Sequence, residues 1–210
     1  MRYATVHRLQ SPATPWGRLS DATGTTFQEA MRQLPSGVCV VTHGTGGERT
    51  GLTATSVASL SSEPPALLVC LHRSSSSDPA LARLGAFAVN VLAADQREIA
   101  GRFAGASGVN GEERFEEGRW APLPSGISCL ADSVAVFDCE VDERIERPAH
   151  AIIIGRVRRV LMGSGSGALV CWRGFYDQVG WSSDEISRAV GVSPSGYDQP
   201  ELPRILSATD

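Results

Sequence analysis

The chain alternates between short valine- and isoleucine-rich runs and glycine- or serine-rich breaks, with little long helical periodicity. Phe27, Ala30, Met31 and Leu34 recur at helical spacing, Pro35 closes the run, and Thr26 with Glu29 predicts a capping box, so a short helix is expected over 26–34. "GVCVVTH" (37–43) predicts a strand, "GTGGE" (44–48) a hairpin connection and "RTGLTATSVASLS" (49–61) the returning strand. "ALLVCLHR" (66–73) is a continuous apolar run, the pattern of a buried strand. After it, Asp78 and Pro79 can open a helix within 74–85. A strand at 86–92 precedes a helix at 93–105, where Leu92, Gln96, Ile99 and Phe103 share one side. Residues 105–126 are glycine-rich and charged and read as a long surface loop. Three strands close the pattern, at 134–146, 151–162 and 168–180, the last two joined by "GSGSG". A short helix near 183–190 is expected after Trp181.

These elements give six or seven strands, mostly joined by hairpins, and few helices. A doubly wound parallel sheet is disfavoured, because strands do not alternate with long helices. The expected fold is mainly β: a closed or nearly closed antiparallel barrel with a few short peripheral helices. The domain is expected over 23–181, between an irregular tail at 1–22 and a polar tail at 182–210.

Composition narrows the chemistry. Hydrophobic residues make up 42% of the 210 positions and charged residues 20%, with a net charge of -4, which gives no support for a nucleic-acid surface. All 19 basic residues are arginines, which excludes a lysine Schiff base and a Walker-type lysine. Five cysteines without a CxxC argue against a disulfide framework or structural zinc; buried, they act as small hydrophobes. No apolar run reaches membrane-spanning length and the first residues lack a secretory pattern, so no membrane association and a cytoplasmic location are expected. "GTGGER" lacks the third glycine of a dinucleotide fingerprint, and GxSxG, HExxH and Walker A motifs are missing. Glu112, Glu113, Glu116 and Glu117 read as a solvated charge run.

Four stretches carry candidate chemistry, each with a structural alternative. "GLTATSVASLSS" (51–62) offers Thr53, Thr55, Ser56, Ser59, Ser61 and Ser62 as a hydroxyl shelf for a flat heteroaromatic ligand, with Thr53 and Thr55 on one strand face; a threonine-rich edge strand is the alternative. "HRSSSSDP" (72–79) can present hydroxyls and N–H groups to a phosphate, or be a linker. His150, before an apolar strand, can orient a substrate or move a proton, or serve structurally. Arg173 and Tyr176 in "WRGFYDQVG" can face a nucleotide, or cap the last strand.

In order, "FQEAMRQLPSGVCVVTH", "GLTATSVASLSSEPPALLVCL", "RSSSSDPALARLGAFAVNVLAADQREIAGRFAG", "HAIIIGRV" and "WRGFYDQVG" resemble the short-chain flavin reductase family, over about 27–180. The resemblance implies a dimeric split barrel that holds FMN or FAD and is reduced by NADH or NADPH, supplying reduced flavin to a partner flavin-dependent monooxygenase. Carried over by position, Thr53, Ala54, Thr55, Ser56 and Val57 would line the flavin ring, followed by Ser59 and Leu60. Ser74, Ser75 and Ser76 would lie toward the phosphate, with Asn90, Arg102 and Phe103 nearby. His150 would stand beside the nicotinamide, and Arg173 and Tyr176 would help hold it. Pro148 and Ala149 replace the Gly-Asp that commonly precedes this histidine, and Ala151 the threonine after it. Two alternatives remain: a flavin-binding protein without turnover, and a flavin-dependent enzyme acting directly on an organic substrate.

Overall fold

A computed structural model of the chain describes residues 13–14, 17–73, 75, 81, 85–105, 108–163 and 167–180. The expected helix openings at Asp78 and near 183–190 lie outside them, as do Ser74 and Ser76. The seven-stranded central sheet is antiparallel throughout, in the order β5 (Thr50–Ala54), β4 (Cys39–His43), β8 (Ala86–Val91), β11 (Ala135–Glu146), β12 (His150–Met162), β7 (Pro65–His72) and β6 (Val57–Ser62). Its two outermost strands, β5 and β6, are consecutive in the chain and joined by Thr55 and Ser56 alone. Seven strands laid flat would separate those edges by roughly 29 Å, whereas the three Cα–Cα steps from Ala54 to Val57 reach at most about 11 Å. The sheet therefore curls on itself, and the short link marks the seam of a split barrel. The fold expectation holds.

Inside the barrel, alternate residues of each strand meet. Val41, Leu67, Val69, Leu71, Phe87, Val89, Cys139 and Ile153 form its buried core. β7 alternates regularly: Leu67, Val69 and Leu71 are buried, while Ala66, Leu68, Cys70 and His72 face outward. A second core lies outside the barrel, under helix α2 (Arg97–Phe103), where Ile99, Ala100 and Phe103 pack with Val38, Val40, Leu92 and Leu169. Phe103, Phe115 and Trp120 stack there at centroid separations of 4.8–5.3 Å.

Several expectations are corrected. The helix expected at 26–34 is α1, Gly24–Met31; its capping box joins Thr23 and Thr26, not Thr26 and Glu29. Residues assigned to the irregular tail form a small ladder, β1 (Ala13–Thr14) with β2 (Gly17–Arg18). The strand expected at 49–61 is two strands on opposite edges of the sheet order. The loop expected at 105–126 contains a 3-10 turn, Gly111–Phe115, that buries Arg114 and Phe115, and β9 (Trp120–Pro122), which pairs with β10 (Ser128–Leu130). The strand expected at 168–180 is a hairpin, β13 (Ala168–Trp172) and β14 (Phe175–Val179), extended by β3 (Ser36–Gly37).

Gly155 of β12 shows how tightly the barrel closes. A Cβ there would collide with Phe87 Cζ and lie 2.8 Å from its Cε1 and 3.2 Å from Cys139 Cβ. Gly155→Ala is expected to lower unfolding free energy by about 2 kcal/mol, the scale of an overpacked core. Gly101→Ala, in open space on α2, should be neutral or stabilising. Denaturant melts of both variants check the pair.

Candidate functional site

The barrel seam opens into a cleft of about 760 Å³. One wall is the link itself and the start of β6: Thr55, Ser56, Val57 and Ala58. The chain turns here because β5 ends at Ala54, which is buried in the barrel. Ser56 pins the turn to β7: its hydroxyl donates to Cys70 O at 2.8 Å, and the Cys70 N–H donates to Ser56 O at 3.3 Å. A second wall, from α1 and the segment after it, is largely apolar but also carries Gln28 and Arg32. Phe27 and Met31 of α1 and Leu34 beyond it border the cleft, and α1 has no buried residue. A largely apolar wall beside a hydroxyl-bearing edge suits a flat ligand with one polar rim.

Arg173 closes the third side with Gly174. Both have positive φ, 52° and 84°, and form the two-residue turn of the β13–β14 hairpin. Such turns demand left-handed backbone, which glycine adopts freely and arginine at a cost. The structure holds Arg173 there firmly. Its N–H donates to Arg32 O at 3.0 Å, its Nε donates to Gln33 Oε1 at 2.8 Å, and its guanidinium lies 4.4 Å from the Trp172 ring centre. Trp172 Nε1 donates to Gln33 O at 3.1 Å. The hairpin turn and the segment after α1 are thus one tethered rim carrying a cation.

The sequence-derived candidates separate into three groups. Thr55, Ser56, Val57 and Arg173 come together in the cleft. His150 stands exposed at the start of β12, opposite His72 of β7. His72 lies two residues beyond Cys70 on the outer face of β7, and Cys70 borders the cleft. The described Ser75 follows, its N–H donating to His72 O at 2.9 Å.

The third group serves the scaffold. Thr53 does not share a face with Thr55: its hydroxyl donates to Ala100 O of α2 at 2.6 Å. Asn90 is fully buried, donating to Val40 O at 2.9 Å and Thr42 Oγ1 at 3.3 Å while accepting from Leu130 N–H at 2.8 Å. Arg102 donates to the carbonyls of Glu113 and Arg114 and pairs with Glu116 and Glu117 at 3.1 Å each. That pairing, with Arg49 on Glu112 at 3.3 Å, organises the acidic run expected to be merely solvated. Phe103 is in the aromatic core. Tyr176 packs against the second core, where burial raises its phenol pKa, and Arg97 lies 5.8 Å from its ring. Ser59 and Leu60 are exposed on β6, outside the cleft lining.

Sequence reasoning missed Phe27 and Met31 as lining residues, although the unfilled apolar side of α1 was visible. It also missed Cys70 and Cys171, which border the cleft as free thiols. Cys39 and Cys139 behave as the small hydrophobes expected, burial pushing their thiols up to about 11 and about 12.

The chain is similar to several known proteins. An FMN reductase (NADH), RutF 2, of Methylorubrum extorquens (strain PA1) is 41% identical over 148 residues, covering 70% of this chain and 85% of its own. The actinorhodin polyketide dimerase of Streptomyces coelicolor is 40% identical over 135 residues, 64% of this chain and 74% of its own. The solved NADH:FAD oxidoreductase SgcE6 of Streptomyces globisporus C-1027, in complex with NAD and FAD fragments, superimposes with a TM-score of 0.70 at 28% identity, covering 78% of this chain and 97% of that one. The profile described as the flavin reductase like domain matches residues 31–180, most of the chain including the curled barrel and its seam, and the chain belongs to the flavin reductase-like family.

Proposed function

We propose that the protein is an NADH:flavin oxidoreductase that passes reduced FMN or FAD to a separate flavin-dependent monooxygenase. The observation carrying this reading is the seam cleft, where the hydroxyl-bearing Thr55–Val57 wall is joined by the largely apolar wall from α1 and by Arg173. The residues present fit a flavin. Thr55 and Ser56 bring hydroxyl and backbone groups to a polar rim, and Val57, Phe27 and Met31 supply the apolar faces that a tricyclic ring needs. When bound, flavin supplies the two-electron acceptor chemistry. The chain supplies position. Ser56, tied to β7, fixes one wall, and α1 lays Phe27 and Met31 along another. Arg173 offers a fixed positive charge to an anionic group of either nucleotide. His150 orients the nicotinamide from the outer face of β12, within the range of alignment effects on hydride transfer.

The homodimer belongs to this reading. Val160, Leu161 and Met162, at the end of β12, are 50–73% exposed, Val160 and Met162 on one face of the strand and Leu161 on the other, and exposed apolar side chains of this kind mark an interface. A cytoplasmic location is supported by all five cysteines being free. Among the described residues no helix is long and apolar enough to cross a membrane.

Purified protein with NADH and either flavin, followed at the nicotinamide absorbance band, tests the proposal; no oxidation with either flavin rejects it. His150→Ala is expected to slow hydride transfer about tenfold while flavin affinity stays within about twofold. Similarity to the polyketide dimerase favours one second reading, in which flavin held in the cleft acts directly on an organic substrate. Turnover of a polyketide without any second component would select it.

A further inference from the structure

His72 is the nearest side chain of suitable chemistry to His150 that the proposed reaction leaves unused. It ends β7 directly opposite His150 of β12, with ring centres 4.9 Å apart and planes at 76°, an edge-to-face contact. The backbone explains the closeness. The Arg73 N–H donates to Ala149 O at 3.0 Å, which makes 73 and 149 a hydrogen-bonded pair. His72 and His150 are therefore the adjacent non-hydrogen-bonded pair, the kind in which facing side chains approach most closely. Arg147 N–H donates to His150 O at 2.8 Å, and Arg73 lies 3.6 Å from Glu146, so both strand ends are held.

Direction follows from the pleat. Leu71 points into the barrel, so Cys70 and His72 point outward together. Cys70 borders the cleft. His72 stands about 7 Å further along the same face, on the strand that lies between β6 of the cleft wall and β12 of His150. An exposed histidine at a strand start would otherwise sample several rotamers.

We infer that His72 is a positioning residue. Its ring props that of His150 and sets the angle at which His150 meets the nicotinamide. The inference rests on the reading that His150 faces the nicotinamide.

The test compares His72→Ala, His72→Phe, His72→Gln and His150→Ala in steady-state NADH oxidation, with flavin titration and thermal melts for each. His72→Ala should raise KM for NADH about fivefold with a smaller change in kcat, leaving flavin affinity and melting temperature unchanged. His72→Phe should restore KM, because the contact is ring against ring, and His72→Gln should not. A normal KM in His72→Ala, while His150→Ala is impaired, overturns the inference and leaves the reading of His150 intact. No effect from either alanine variant removes that reading as well. Rescue by glutamine but not phenylalanine also overturns the inference, since the nitrogen rather than the ring would then be required.

Discussion

Thr55→Trp is expected to weaken flavin binding about 100-fold, a loss of about 2.7 kcal/mol, with no change in melting temperature. Thr55 is exposed in the two-residue link and borders the cleft, so the larger side chain costs the barrel little. An indole rooted there occupies the space in which a tricyclic ring would lie against Ser56 and Val57. Thr55→Ala separates bulk from chemistry. It removes a hydroxyl and adds no volume, so affinity should fall only about fivefold, the scale of one hydrogen bond. Flavin titration by fluorescence quenching measures both. Equal losses in the two variants would mean that the hydroxyl matters and the space does not. Undiminished binding in Thr55→Trp would remove flavin from this wall altogether.

The site was legible where chemistry sat in one local stretch. Thr55, Ser56 and Val57 stand together in sequence and line the same wall, and the glycine of "RG" at 173–174 marks the turn that presents Arg173. What the sequence hid were consequences of closure. No glycine or proline separates β5 from β6, so 49–61 read as one strand. Only the curling of seven strands requires a break at Thr55; within β5 the pleat turns Thr53 toward α2 while Ala54 enters the barrel. The alternation of β7 was similarly masked, because both of its faces carry apolar residues: one fills the barrel, and the other presents Ala66, Leu68 and Cys70, of which Cys70 borders the cleft. Phe115 and Trp120 were overlooked because glycines and glutamates surround them, although two aromatic residues in a polar segment rarely stay in solvent. Phe27 and Met31 read as an ordinary core-facing stripe, yet in this chain they stay exposed over the cleft. Family position placed Asn90, Arg102 and Phe103 near the flavin phosphate; their side chains here are committed to the β4–β8 ladder, the acidic turn and the aromatic core.

Acid should destabilise the fold through His43. This residue ends β4, is fully buried, and neither ring nitrogen has a hydrogen-bond partner among the described residues. Burial disfavours the imidazolium and lowers the pKa to about 4. In the unfolded chain the same imidazole titrates near its ordinary value of about 6.5. Above that value neither state holds the proton and stability is complete. Between about 6.5 and about 4 the unfolded state binds a proton that the native state refuses, so stability falls with pH at up to about 1.4 kcal/mol per unit. The full loss is roughly 3 kcal/mol. His43→Leu, of similar size and without nitrogens to desolvate, should flatten this window and be the more stable protein at pH 5. Urea melts of the two proteins at pH 7.5 and pH 5 measure the difference. An unchanged acid slope in His43→Leu would show that the sensitivity does not come from this imidazole. A slope lost with the imidazole assigns it to this one uncompensated ring.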